Sequence, residues 1–119
     1  MPRSIAIVFA DDFSAQLEQL SFHTPVWLVD TPENRAAAEA AWQRAIEWPH
    51  ISVALFRSPA VKPSRDDWRA LLDQIALHER SVDAIEIFGQ ALTNGARAAL
   101  GDAGYERFEE TASGFRVRR

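Results

Sequence analysis

Four short stretches of the chain are apolar on almost every residue: "SIAIVFA" at 4–10, "VWLVD" at 26–30, "ISVALF" at 51–56 and "AIEIF" at 84–88. The first three lack the alternation of a half-exposed strand, so they predict strands buried on both faces. Between them the apolar positions adopt a helical period. Phe13, Leu17 and Leu20 form one stripe. In "TPENRAAAEAAWQRAIEW", Thr31 is placed to cap a helix and Pro32 to occupy its first position. Its expected inner stripe runs through Ala38, Trp42, Ala45 and Ile46. A third helix begins at "SRDDW", with Ser64 as cap and acids in the first turn, where the helix dipole favours them. Trp68, Leu71, Leu72 and Ile75 form its apolar side. A fourth carries Leu92, Ala96, Ala99, Leu100 and Ala103 on one face and stops near Gly104.

Strand and helix thus alternate four times, which predicts an α/β fold with right-handed crossovers. The expected architecture is three-layered, α/β/α, around a mainly parallel sheet of four to five strands in a flavodoxin-like order. The tail departs from the alternation. "YERFEET", "ASG" and "FRVRR" predict an antiparallel hairpin with Gly114 in the turn. Both its strands are polar, which places it exposed at one edge of the sheet, and Glu86 marks the fourth strand as near an edge too. Pro59 and Pro63 exclude regular structure from the loop at 57–64.

Composition adds limits. The chain has 119 residues, within the range of one domain spanning 1–119, with 47% apolar and 25% charged residues. It has no cysteine, which excludes disulfides, thiolate metal sites and cysteine nucleophiles. A net charge of −4, with no long run of like charge and only the short basic patch "RVRR", argues against general nucleic-acid binding, which draws most of its affinity from a basic face. The opening residues read as a strand rather than a signal peptide, and no apolar run approaches the roughly 20 residues needed to span a bilayer. A cytoplasmic protein with no membrane association is the expectation. Twelve arginines against one lysine, with many alanines, read as the codon bias of a GC-rich genome and carry no functional expectation.

The sequence contains no Walker phosphate loop, G-x-G-x-x-G, G-x-S-x-G or H-E-x-x-H, and no cofactor is implied. "IAIVFADDF" resembles bacterial receiver domains, which place acids after strand one and a phosphoacceptor aspartate after strand three. Here the third strand ends in "ALFRSP", with Arg57 where that aspartate would stand. "ALGDAGYERFEETASGFRVRR" resembles the helix and hairpin that close many class I methyltransferase domains, without their glycine-rich cofactor loop. No family follows from either.

In a parallel sheet the loops after the strands gather at one rim, where ligands tend to bind. That rim collects Asp11, Asp12, Asp30, Arg57, Ser58, Lys62 and Gln90. Carboxylates beside cations suit a divalent metal or an ionic small molecule. Helix capping would also populate these positions. Capping is the favoured reading for Asp12, and Asp11 is the better placed of the two to face a ligand. His23, His50 and His78 each precede a strand, so they fall at the opposite rim, and three converging imidazoles would hold zinc. Helix C-termini also favour histidine. Trp27, Trp42 and Trp68 fit the core; Trp48, beside Pro49 and His50, is a candidate contact for a partner.

Two functional classes follow. The favoured one is a non-catalytic binding or protein-interaction module, pairing with a protein partner or with itself as a homodimer through the hairpin edge or an aromatic patch. The alternative is a small metal-dependent, phosphate-handling enzyme or ligand-binding domain. There Asp11 and Asp30 would hold the metal, Arg57 or Lys62 would neutralise an anion, and the 57–64 loop would be a lid.

Overall fold

The first apolar run forms β1, Ser4–Val8, and its residues divide between two cores. Ile5 and Ile7 enter one hydrophobic cluster and Ala6 and Val8 the other, so β1 is buried on both sides of the sheet. The computed structural model describes residues 3–10, 13, 17, 24–46, 52–57, 63–79 and 81–119. The elements that follow are β2 (Val26–Val29), α1 (Pro32–Ala45), β3 (Val53–Phe56), α2 (Arg65–His78), β4 (Ala84–Phe88), α3 (Asn94–Asp102), β5 (Arg107–Glu110) and β6 (Gly114–Arg118).

Their boundaries follow from local chemistry. Thr31 Oγ1 accepts from the Asn34 amide at 3.2 Å, and Pro32 opens α1. Ser64 and Asp67 form a reciprocal capping box at α2. Thr93 Oγ1 caps α3 through the Ala96 amide at 3.1 Å.

The six strands form one sheet in the order β3-β2-β1-β4-β6-β5. The first four are parallel, as the alternation of elements predicts, and β6 and β5 add antiparallel beside β4. The order differs from the flavodoxin-like one, in which β3 would lie inside, next to β1. Here β3 is an edge strand outside β2, and its central Ala54 and Leu55 are only partly buried. Apolar content alone does not distinguish an edge strand under a helix from a central one.

The hairpin also differs from expectation. β5 is the exposed edge, but β6 is an interior strand whose Phe115 and Val117 are fully buried. Its approach to β4 requires Gly114, since a Cβ there would lie 2.1 Å from the Ile87 carbonyl oxygen. β4 is interior as well. Glu86 is tolerated because it sits opposite Arg116, whose guanidinium is 3.5 Å away.

The larger core joins Ile5, Ile7, Trp27, Phe56, Ile85, Ile87, Phe115 and Val117 of the sheet to Trp68, Leu71 and Ile75 of α2 and Ala96, Ala99 and Leu100 of α3. Leu72 and Leu92 pack against its rim, while Ala103 is exposed. The smaller core joins Ala6, Val8, Val26, Leu28 and Val53 to Ala38 and Ala41 of α1, with Phe13 and Leu17. The burial of Phe13 and Leu17 matches their expected stripe; Leu20 lies outside the described residues.

α1 is rotated from its expected phase. Asn34, Ala38 and Ala41 face inward, whereas Trp42 is 42% and Ile46 85% exposed. Small alanines let the helix backbone approach the sheet closely, and the bulky pair turns outward beside β3. Among the described residues, no helix is long and apolar enough to cross a membrane.

Candidate functional site

The rim at the C-terminal ends of the parallel strands is held by a side chain that no motif indicates. Asn34, in the first turn of α1, is fully buried. Its Nδ2 donates to the Ala10 carbonyl at 2.6 Å and the Val29 carbonyl at 3.1 Å, and its Oδ1 accepts from the Phe13 amide at 3.0 Å. These bonds bracket Asp11 and Asp12 in sequence and tie both flanks of that pair to the end of β2. The only prior signal was an asparagine three residues after a cap, which ordinarily reads as solvent-facing.

On the other side of β1, the loop after β4 presses against the same segment. Gly89 has φ +83°, and a Cβ on it would lie 2.9 Å from the Ala10 nitrogen. One face of the rim is packed with aromatic rings. Phe9 lies edge-on to Phe56 at 5.2 Å between centroids and 5.3 Å from Trp68, which reaches Phe115 at 6.0 Å. The cavity left among Phe9, Phe56, Trp68 and Leu71 is about 10 Å³, the space of at most one water. On the opposite face Phe13 stacks obliquely on Phe88 at 5.3 Å.

Of the residues placed at this rim from sequence, Asp30, Arg57 and Gln90 are described. Asp30 Oδ2 accepts from Arg35 Nη2 at 2.6 Å, an ion pair between partly exposed groups, and its amide donates to Phe56 O at 2.7 Å. Arg57 is exposed at the end of β3, adjacent to Asp30 in strand register. Gln90 follows Gly89 after β4 and is half-buried. Asp11, Asp12, Ser58 and Lys62 lie outside the described residues, as do His23, His50 and Trp48. His78 ends α2 with its ring 5.9 Å from that of Trp27, an aromatic contact at the helix C-terminus. Among the described residues, no three His, Asp or Glu side chains converge as metal ligands.

Among the described residues, a wider groove lies elsewhere. About 560 Å³ opens at the N-terminal ends of β1 and β4, between Ser4, Thr24, Glu86, Arg116 and Arg118. No described helix covers β4, β6 and β5 on this face. Some of its charges are paired: Arg116 lies 3.5 Å from Glu86 and 3.9 Å from Glu109, while the Asp83 carboxylate accepts from the Arg3 backbone amide at 2.9 Å. Such a face is what an antiparallel sheet presents to water.

The two sheet edges contrast more sharply. β5 exposes Arg107, Glu109 and Glu110, a charged edge that repels another strand. β3 carries Val53, Ala54, Leu55 and Phe56. Its Ser52 and Phe56 carbonyls bond to β2 through the Val26 and Asp30 amides, at 2.9 and 2.7 Å. Alternation along a parallel ladder therefore directs the backbone groups of Val53 and Leu55 outward. The Trp42 indole agrees with this by donating to the Val53 carbonyl at 2.7 Å, on the side away from β2. Beside this edge stand the exposed Trp42 and Ile46, one helical turn apart. No protein-family model matches the chain, and no curated protein matches it.

Proposed function

We propose that the chain is a non-catalytic protein-interaction module that accepts an added strand at the outer edge of β3. The contrast between the edges carries this reading. One edge is charged, while the other is apolar, directs backbone donors and acceptors outward, and is flanked by exposed Trp42 and Ile46. Strand addition draws affinity from main-chain hydrogen bonds, and neighbouring apolar side chains add selectivity.

The tight rim at the C-terminal ends of the parallel strands supports the same reading. A three-layer α/β/α domain ordinarily binds small molecules there. Here the described part of the rim is spanned by Asn34, the Gly89–Ala10 contact and the ring cluster. The interaction surface thus lies at the edge opposite the hairpin.

A photo-crosslinking amino acid at exposed Ser52, compared with one at Glu110, tests the proposal in cells. The expected result is one discrete product from position 52, identified by mass spectrometry, and none from 110. No product at 52, or equal labelling from both positions, would overturn it.

A further inference from the structure

We propose that the hairpin binds a small-molecule phosphomonoester between Arg107 and Arg118, on the face that no described helix covers. The site is separate from the β3 edge, and residues 81–119, which carry both arginines, are described without a break. Phe115 and Val117 of β6 are buried in the core beneath α2 and α3, which turns the alternate residues Arg116 and Arg118 to the opposite face. Phe108 of β5 packs against the same core, so Arg107 and Glu109 share that opposite face.

Strand register divides the charges there into two rows. In one, Arg116 stands opposite Glu86 of β4 and Glu109 of β5, and its charge is balanced from both sides. In the next, Arg118 stands opposite Ala84 and Arg107, and Ala84 in turn pairs with Ser4 of β1. That row holds two cations and no acid. Among the described residues, neither Arg107 nor Arg118 has an ion pair. Like charges directly opposite on paired strands repel, and an anion held between them offsets that cost.

The space suits such an anion. The groove of about 560 Å³ and an adjoining depression of about 190 Å³ share Arg116 and Arg118, and Arg107 lines the second. Ser4 and Ala84 are small, which leaves room beside Arg118, and Thr24 adds a second hydroxyl to the wall. Asp83 also lines the groove, where its carboxylate accepts from the Arg3 amide at 2.9 Å.

The charge count selects the ligand. Each guanidinium presents a planar fork of N–H donors that matches an oxyanion. A carboxylate or a sulfate ester carries one negative charge and balances one arginine. A phosphomonoester, with a second pKa near about 6, carries nearly two at neutral pH and has three terminal oxygens for the two forks. The wider groove takes the rest of the molecule.

Calorimetric titration with phenyl phosphate and phenyl sulfate at about pH 7.5 tests this, since only the first is a dianion there. The expected result is saturable binding of phenyl phosphate with Kd of about 1 mM or tighter, and at least about tenfold weaker binding of phenyl sulfate. Arg107→Gln and Arg118→Gln should each weaken phenyl phosphate binding at least about tenfold. Arg69→Gln removes an equal charge from an exposed position of α2 and should leave binding unchanged. In the unaltered chain, phenyl phosphate should move the amide NMR signals of Arg107 and Arg118 and leave those of β3 in place, a readout that needs no variant. No saturable binding, equal binding of the two esters, or equal losses in all three variants would overturn the proposal. So would binding that both hairpin variants leave intact, or amide shifts confined to other elements.

Discussion

Asn34 does more for this fold than its place in a polar first turn suggests. One buried amide satisfies two carbonyls and one backbone amide, joining the end of β1 to the end of β2. Asn34→Ala would take a partner from all three groups, of which the Phe13 amide bond is buried and the two carbonyl bonds are partly buried. An orphaned buried polar group costs about 1–3 kcal/mol, so a loss of about 3 kcal/mol is expected in urea unfolding. A loss below about 1 kcal/mol, the ordinary effect of a point substitution, would show that the segment around Phe13 finds other partners. The residue was not legible in sequence because asparagine at this position reads as a helix-start preference. Its burial depends on where the end of β1 passes over α1.

At the scale of elements, α1 shows how a helix can be foreseen and its phase missed. Thr31 and Pro32 marked its start, and both act as expected. The expected inner stripe of Ala38, Trp42, Ala45 and Ile46 holds for Ala38, which is fully buried, and fails for the two large side chains Trp42 and Ile46; the side chain of Ala45 lies outside the described residues. The sheet takes Ala41 beside Ala38, and Trp42 turns outward, with its indole N–H donating to the Val53 carbonyl. Ala38→Leu should therefore destabilise by about 1–3 kcal/mol through overpacking, whereas Ile46→Glu should change stability by less than about 0.5 kcal/mol. Thermal unfolding of both variants decides the phase, and the reverse ranking would refute it. α2 was read more completely: Trp68, Leu71 and Ile75 are its buried residues, because its apolar side chains all fall on one stripe.

Across the whole molecule, the two ends of the chain meet at the N-terminal rim of the parallel strands. Arg3 pairs with Glu79, and its amide bonds to Asp83. Arg119 donates through Nε to the Val82 carbonyl at 2.7 Å and lies 4.8 Å over the Tyr105 ring. Tyr105 donates to the same carbonyl at 3.3 Å. Burial raises the Tyr105 pKa above its ordinary value, and the Arg119 charge only partly opposes this. In the unfolded chain the phenol ionises near pH 10. Above that the unfolded state holds fewer protons than the native state, so stability present below about pH 10 is lost as pH rises through the folded pKa. Tyr105 is the sole tyrosine, so its ultraviolet titration reports it alone. The expected midpoint lies above that of the urea-unfolded chain, and Tyr105→Phe should flatten the alkaline decline in stability. Equal midpoints would contradict the burial argument.

The sequence by itself determined the features that depend on near neighbours: the four parallel strands, the helices that follow the second, third and fourth of them, the caps at Thr31 and Ser64, and the closing hairpin. Apolar period, capping hydrogen bonds and turn residues act within a few positions, so they can be read along the chain. Tertiary structure alone decided that β3 lies at an edge, that β6 is buried beside β4, that Asn34 is interior and that Trp42 and Ile46 face outward. Each of these depends on pairing between residues far apart in the chain, where a parallel sheet admits several strand orders of similar apolar content. The proposed surface at β3 exists only once that order is chosen.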